Sequence, residues 1–107
     1  MSEGSALLLA KTVCGEIFLK SGRVDEAENC LANVCLEYSL VCLKSRAAED
    51  YFGFAVALDL LGDANTGKWR KKYYKRSLKL LKRLTKTFPQ DKYQHLYDTV
   101  QNKIKSI

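Results

Sequence analysis

The side chains of this chain that could do chemistry fall into three sets. They are four cysteines with one histidine, a glycine-bracketed loop ending in Gly-Lys, and a dense run of cations. Cys14, Cys30, Cys35 and Cys42 form no CxxC pair, and the single histidine, His95, lies far along the chain. Zinc needs convergent ligands, usually supplied in tight pairs. Cys30 and Cys35, the closest two, point apart on a helix that turns about 100° per residue. Free thiols, mostly buried, in a reducing compartment are therefore expected, with no metal site. His95 lies near Tyr93 and Tyr97 with no Cys or Ser pattern beside it, and reads as a helix-surface residue rather than a general base. The loop GDANTGKW at 62–69 has the glycine and Gly-Lys spacing of a phosphate-binding loop. Trp69 stands where that motif needs Ser or Thr to hold magnesium, and a helix rather than a strand precedes it. No cofactor and no catalysis are expected.

The cations are the most lopsided feature. Residues 68–86 read KWRKKYYKRSLKLLKRLTK, in which ten of nineteen residues are Lys or Arg and none is acidic. At about 100° per residue, Trp69, Tyr73, Tyr74, Leu78, Leu80, Leu81 and Leu84 share one side of a helix. Lys68, Lys71, Lys72, Lys75, Arg76, Lys79, Lys82, Arg83 and Lys86 share the other, and only Arg70 falls on the apolar side. The pattern predicts a helix with a core face and a continuous cationic stripe. Three readings of the stripe stay open: a solvated helix back, a contact for an acidic protein surface, and a phosphate contact in nucleic acid or anionic lipid. The aromatics are expected to point inward, which disfavours base stacking, and no nucleic-acid motif accompanies the stripe. Lying on a membrane would require a free apolar face, whereas Pro89 and a following helix imply a packed one.

The elements that position these groups are helices. One Pro and six Gly in 107 residues argue for long helices joined by short turns, in one domain spanning 1–107. Hydrophobic content of 47% makes disorder an unsuitable description. The net charge of +6 divides unevenly: residues 1–61 carry five cations and nine carboxylates, and residues 62–107 carry thirteen and three. MSEGSALLLA does not read as a secretory signal, and YFGFAVALDLLG is too short and too interrupted to span a bilayer. A cytoplasmic location is expected, with the nucleus as the alternative.

Ala6, Leu9, Val13 and Ile17, with Phe18, recur at helical spacing and predict a helix over about 5–20. Val24, Ala27, Leu31, Val34, Tyr38 and Val41 predict a second, to about Lys44, with Asp25, Glu26 and Glu28 at its positive end. A third is expected over about 46–61, closed by Gly62 as its C-cap. The basic helix follows over about 67–87, and a fifth over about 91–105, capped by Asp91.

The stretch AKTVCGEIFLKSGRVDEAENCL carries a further pattern. Gly15 is followed by Phe18 three later, Gly22 four after that, then Ala27, and Leu31 at i+4. Small residues at a close helix crossing, flanked by large apolar ones, have a packing reason. This resembles the tetratricopeptide repeat. Tyr51, Ala55, Leu58 and Gly62 resemble the first helix of a second repeat; its small partner residue in the next helix is Gly67, Ser77 or neither. The forty residues from Gly22 to Gly62 are longer than the ordinary repeat of about 34 and resemble the extended repeats of kinesin light chain. The resemblance implies an all-α fold of antiparallel helix hairpins. There would be about two repeats, over about 5–44 and 46–87, with a C-terminal capping helix over about 91–105. It also implies a non-enzymatic adaptor or assembly subunit that binds a peptide or helix of a protein partner. The implied groove comprises Leu9, Thr12, Glu16, Leu19 and Lys20 from the first repeat. Glu49, Phe52, Val56, Asp59 and Leu60 would come from the second. Some family members clamp a chaperone's C-terminal carboxylate, but Glu16 stands at the matching Asn position and would repel it. Two repeats are fewer than the three usually needed to bury such faces, so the expectation is that the chain self-associates, docks on a larger partner or is the end of a longer stack. The alternative is a small helical nucleic-acid or phosphate-binding protein that uses the cationic stripe.

Overall fold

The computed structural model describes residues 3–107. Those residues form five α-helices: α1 (Glu3–Lys20), α2 (Val24–Lys44), α3 (Ala48–Asp63), α4 (Gly67–Thr87) and α5 (Asp91–Lys105). The fold is all-α, and successive helices pack as a stack of antiparallel hairpins. None of the helices is long and apolar enough to cross a membrane. α3 alone touches all four others. Its sequence explains this: between Tyr51 and Leu61 it carries one charge, Asp59, and a helix apolar on every side has to be surrounded. Around α3 sit two apolar clusters. One joins α1, α2 and α3 through Leu8, Leu31, Val34, Tyr38 and Leu58; the other joins α3, α4 and α5 through Ala55, Tyr74, Leu81, Tyr93 and Val100.

The close crossings fall at small residues. A methyl group added at Gly15 would lie 2.6 Å from the Leu31 side chain. Gly22 takes φ 78°, a conformation open to glycine at little cost, and turns the chain from α1 into α2. In the second hairpin the small residue on α4 is Ser77. It is fully buried, and its hydroxyl donates to the Ala55 carbonyl at 2.7 Å. Gly67 instead begins α4 at φ 60°, with nothing near its Cβ position.

On α1, Leu9, Val13 and Ile17 are exposed, with Leu7, Ala6, Ala10 and Cys14 beside them. The buried side of α1 is Ser5, Leu8, Thr12 and Gly15. Leu7, Leu8 and Leu9 are consecutive, so no rotation buries all three, and close approach to Leu31 selects the face bearing Gly15. Two expectations need correction. Gly62 is not a C-cap: α3 continues to Asp63, and Gly62 packs where a side chain would strike the Tyr74 ring at 2.5 Å. Asp91 is the first residue of α5, with Gln90 as N-cap and no side-chain capping bond.

Candidate interaction surface

α4 sets its cations by simple geometry. Tyr74, Ser77, Leu81 and Leu84 are buried against α3 and α5, so the opposite side faces water. All nine cations of the expected stripe are exposed. Among the described residues none of the nine forms an ion pair. The helix is roughly 30 Å long at 1.5 Å per residue. Its first turn holds no acidic residue to offset the positive end. Arg70, the cation on the apolar side, has a separate task. Its guanidinium donates to the carbonyls of Gly62, Asp63 and Asn65 at 2.8–3.2 Å, satisfying the C-terminal end of α3.

Trp69 departs from expectation. It is 48% exposed, with Lys72 Nζ 4.9 Å from its ring centroid and Lys68 at 6.0 Å. Tyr74 does point inward and Tyr73 is half-buried, but an indole face stands beside the stripe.

No Cα of α2 comes within 8 Å of one in α4, although both helices pack on α3. The channel between them consists of two adjoining hollows that share Arg76: one is lined by α2, α4 and Leu61 of α3, the other by α4 with Phe54 and Leu58 of α3, and all three α3 side chains are buried. One wall is α2, with Ala32, Cys35, Leu36 and Ser39. The other is α4, where Tyr73 and Leu80 lie alongside Arg76, Lys79 and Arg83. Arg76 borders both hollows, with its guanidinium carbon 5.9 Å from the Phe54 ring centroid. Burial pushes the Cys35 thiol up to about 12, with Arg76 opposing, so this wall presents a neutral sulfur.

The groove implied by the repeat resemblance is a different surface, and the structure occupies much of it. Thr12 is buried and its hydroxyl donates to the Leu8 carbonyl at 2.8 Å. Asp59 is buried and accepts from Lys103 of α5 at 2.9 Å. Phe52 packs on Tyr93 of α5, with ring centroids 5.0 Å apart. Glu49 pairs with Lys92 at 2.6 Å, Glu16 stands 3.9 Å from Lys20, and Leu60 is buried. Leu19 and Val56 are half-buried against the first cluster, and Leu9 and Lys20 are exposed. α5 thus covers the α3 half of that groove. The channel between α2 and α4 escaped sequence reasoning because it arises from two helices that never touch. The available signal was a second apolar row on α2, Leu36, Leu40 and Leu43, off the face expected to be buried.

No protein-family model, curated protein or solved structure matches the chain.

The remaining reactive groups are dispersed. His95 is exposed on α5. GDANTGKW is divided between the end of α3, a three-residue turn and the start of α4, with Asp63 bound to Lys103 and Tyr74. Cys14 is exposed, Cys35 is buried, and Cys30 and Cys42 are partly buried, all as free thiols. Among the described residues no three His, Cys, Asp or Glu side chains gather as metal ligands do.

Proposed function

We propose that this chain is a tetratricopeptide-like, non-enzymatic adaptor that binds a segment of a partner protein and uses α4 to meet an acidic surface. The observation that carries this reading is the state of α4: nine exposed cations in one stripe, none in an ion pair among the described residues, with exposed apolar side chains on α2. Like charges so placed repel one another, and an acidic partner relieves that repulsion while the apolar residues leave water. The reading is tested by capture from nuclease-treated cell extract with the wild-type chain and the double variant Lys75→Glu, Lys79→Glu. A protein partner retained by the first and lost by the second is expected. Retention that charge reversal leaves unchanged would sink the role of α4.

A second reading, nucleic-acid binding, draws on the exposed indole of Trp69 between Lys68 and Lys72. A base stacks on such a ring while phosphates meet the stripe. Labelled single-stranded RNA titrated across a salt series decides it. Tight binding that falls steeply with salt, and weakens with Trp69→Ala, favours this reading. Absence of binding at low salt removes it.

A further inference from the structure

We infer that the channel between α2 and α4 is a docking site for an acidic amphipathic helix of a partner protein. This rests on the adaptor reading and adds the place and the chemistry of the partner. The two walls differ in kind. On α2, Ala32, Leu36 and Ser39 face the channel without a charge, and Leu43 continues their row four residues beyond Ser39. Leu36 is 62% exposed and Leu43 80%. On α4 the rim is Arg76, Lys79 and Arg83; beneath it Phe54, Leu58 and Leu61 of α3 are at most 7% exposed and offer an occupant little surface. An occupant must therefore be apolar toward α2 and anionic toward α4.

A helix with apolar residues at i, i+3 or i+4, and i+7, and carboxylates along one flank, meets both demands. The row from Ala32 to Leu43 extends for roughly 17 Å, enough for about three turns of such a helix. A nucleic acid would satisfy only the α4 wall and leave the α2 leucines in water. The groove implied by the repeat resemblance offers no such match, because its charged residues are already paired within the chain.

The probe is a designed helical peptide of about sixteen residues, Leu on one face and Glu on the flank. A scrambled peptide of identical composition is the control. Binding to the full chain is read by fluorescence anisotropy, and the site by amide chemical-shift changes. The expected result is affinity for the patterned peptide at least about tenfold above the scramble, with shifts at Ala32–Leu43 and Tyr73–Arg83. Leu36→Glu with Leu43→Glu, and separately Arg76→Glu with Arg83→Glu, should each weaken it about tenfold or more. All four side chains are at the surface, so these variants are expected to fold, and their circular dichroism spectra check that they do. Equal binding of the scramble, or indifference to the α2 variants, would mean charge attraction alone and overturns the inference. Shifts confined to Leu19 and Val56 would overturn it while leaving the adaptor reading standing. No binding of either peptide, with RNA shifting only α4, would remove both.

Discussion

At the scale of single residues, the Asp59–Lys103 pair shows how burial and charge compete. Lys103 Nζ donates to Asp59 at 2.9 Å and to Asp63 at 3.1 Å, and Asp63 also accepts from the Tyr74 hydroxyl. Burial raises the Asp59 carboxyl above its ordinary value, with Lys103 opposing. Burial alone would lower the Lys103 ammonium, but its two carboxylates outweigh that and raise it. The cation is the better-compensated partner, since it has two opposite charges and Asp59 has one. Removing it should therefore cost more. Lys103→Met is expected to destabilise by about 2–3 kcal/mol, below the range for fully buried pairs because Lys103 is a third exposed. Asp59→Asn should cost less than about 1 kcal/mol, since Lys103 keeps Asp63. Urea unfolding at pH 7 checks both. The pH dependence has a definite sign. A carboxyl raised in the folded state contributes most below the ordinary value of 3.8, and that contribution is lost as pH rises through its folded value. Without Lys103 the carboxyl rises further, so Lys103→Met should recover stability relative to wild type as pH falls from 7 toward 5. A difference that is flat with pH would show that Asp59 does not carry the cost.

At the scale of elements, helix faces are chosen by crossings more than by apolar content. α1 turns Ser5, Thr12 and Gly15 inward and its Leu9–Val13–Ile17 stripe outward. The fully buried Leu31 occupies the space where a Gly15 side chain would stand. Gly15→Ala should therefore destabilise by about 1–2 kcal/mol, a packing cost of about 1–3 kcal/mol that outweighs the helix-propensity gain of up to about 1 kcal/mol. Equilibrium unfolding measures this. A variant as stable as wild type would mean that Leu31 can move aside and that the crossing is not tight. Thr12 sits inward without penalty because its hydroxyl is returned to the Leu8 carbonyl one turn back.

At the scale of the whole molecule, α1 ends the stack with an uncharged outer side: Ala6, Leu7, Leu9, Ala10, Val13, Cys14 and Ile17 are all exposed. Repeat-type stacks cover such faces with a neighbour or with a polar cap. Val13→Asn with Ile17→Gln should change the stability of the isolated chain by no more than about 0.5 kcal/mol, the usual range for surface positions. A loss of about 2 kcal/mol or more, dependent on protein concentration, would place this face in a contact between copies. The cationic side of α4 behaves differently. Its nine exposed cations repel like charge at that face.

The sequence by itself determined the five helices, their punctuation and the segregation of charge on α4. Each depends on local chemistry: apolar spacing, glycine at a turn with φ 78°, proline after a helix, and cations placed opposite leucines. It also marked Gly15 as a residue at a close helix crossing, whereas the fold shows that Leu31 is the side chain that fills the space beside it. Tertiary structure alone decided which side of α1 is buried, since a helix with leucine at three successive positions has no single apolar face. It decided that Gly62 is a packing residue against Tyr74 rather than a cap, because that depends on a side chain twelve residues away. It decided that α5 covers Phe52 and Asp59. The channel belongs to the same class, for a gap between α2 and α4 is a relation of two helices through a third; the apolar row Leu36, Leu40 and Leu43 marks one side of it but not what stands opposite.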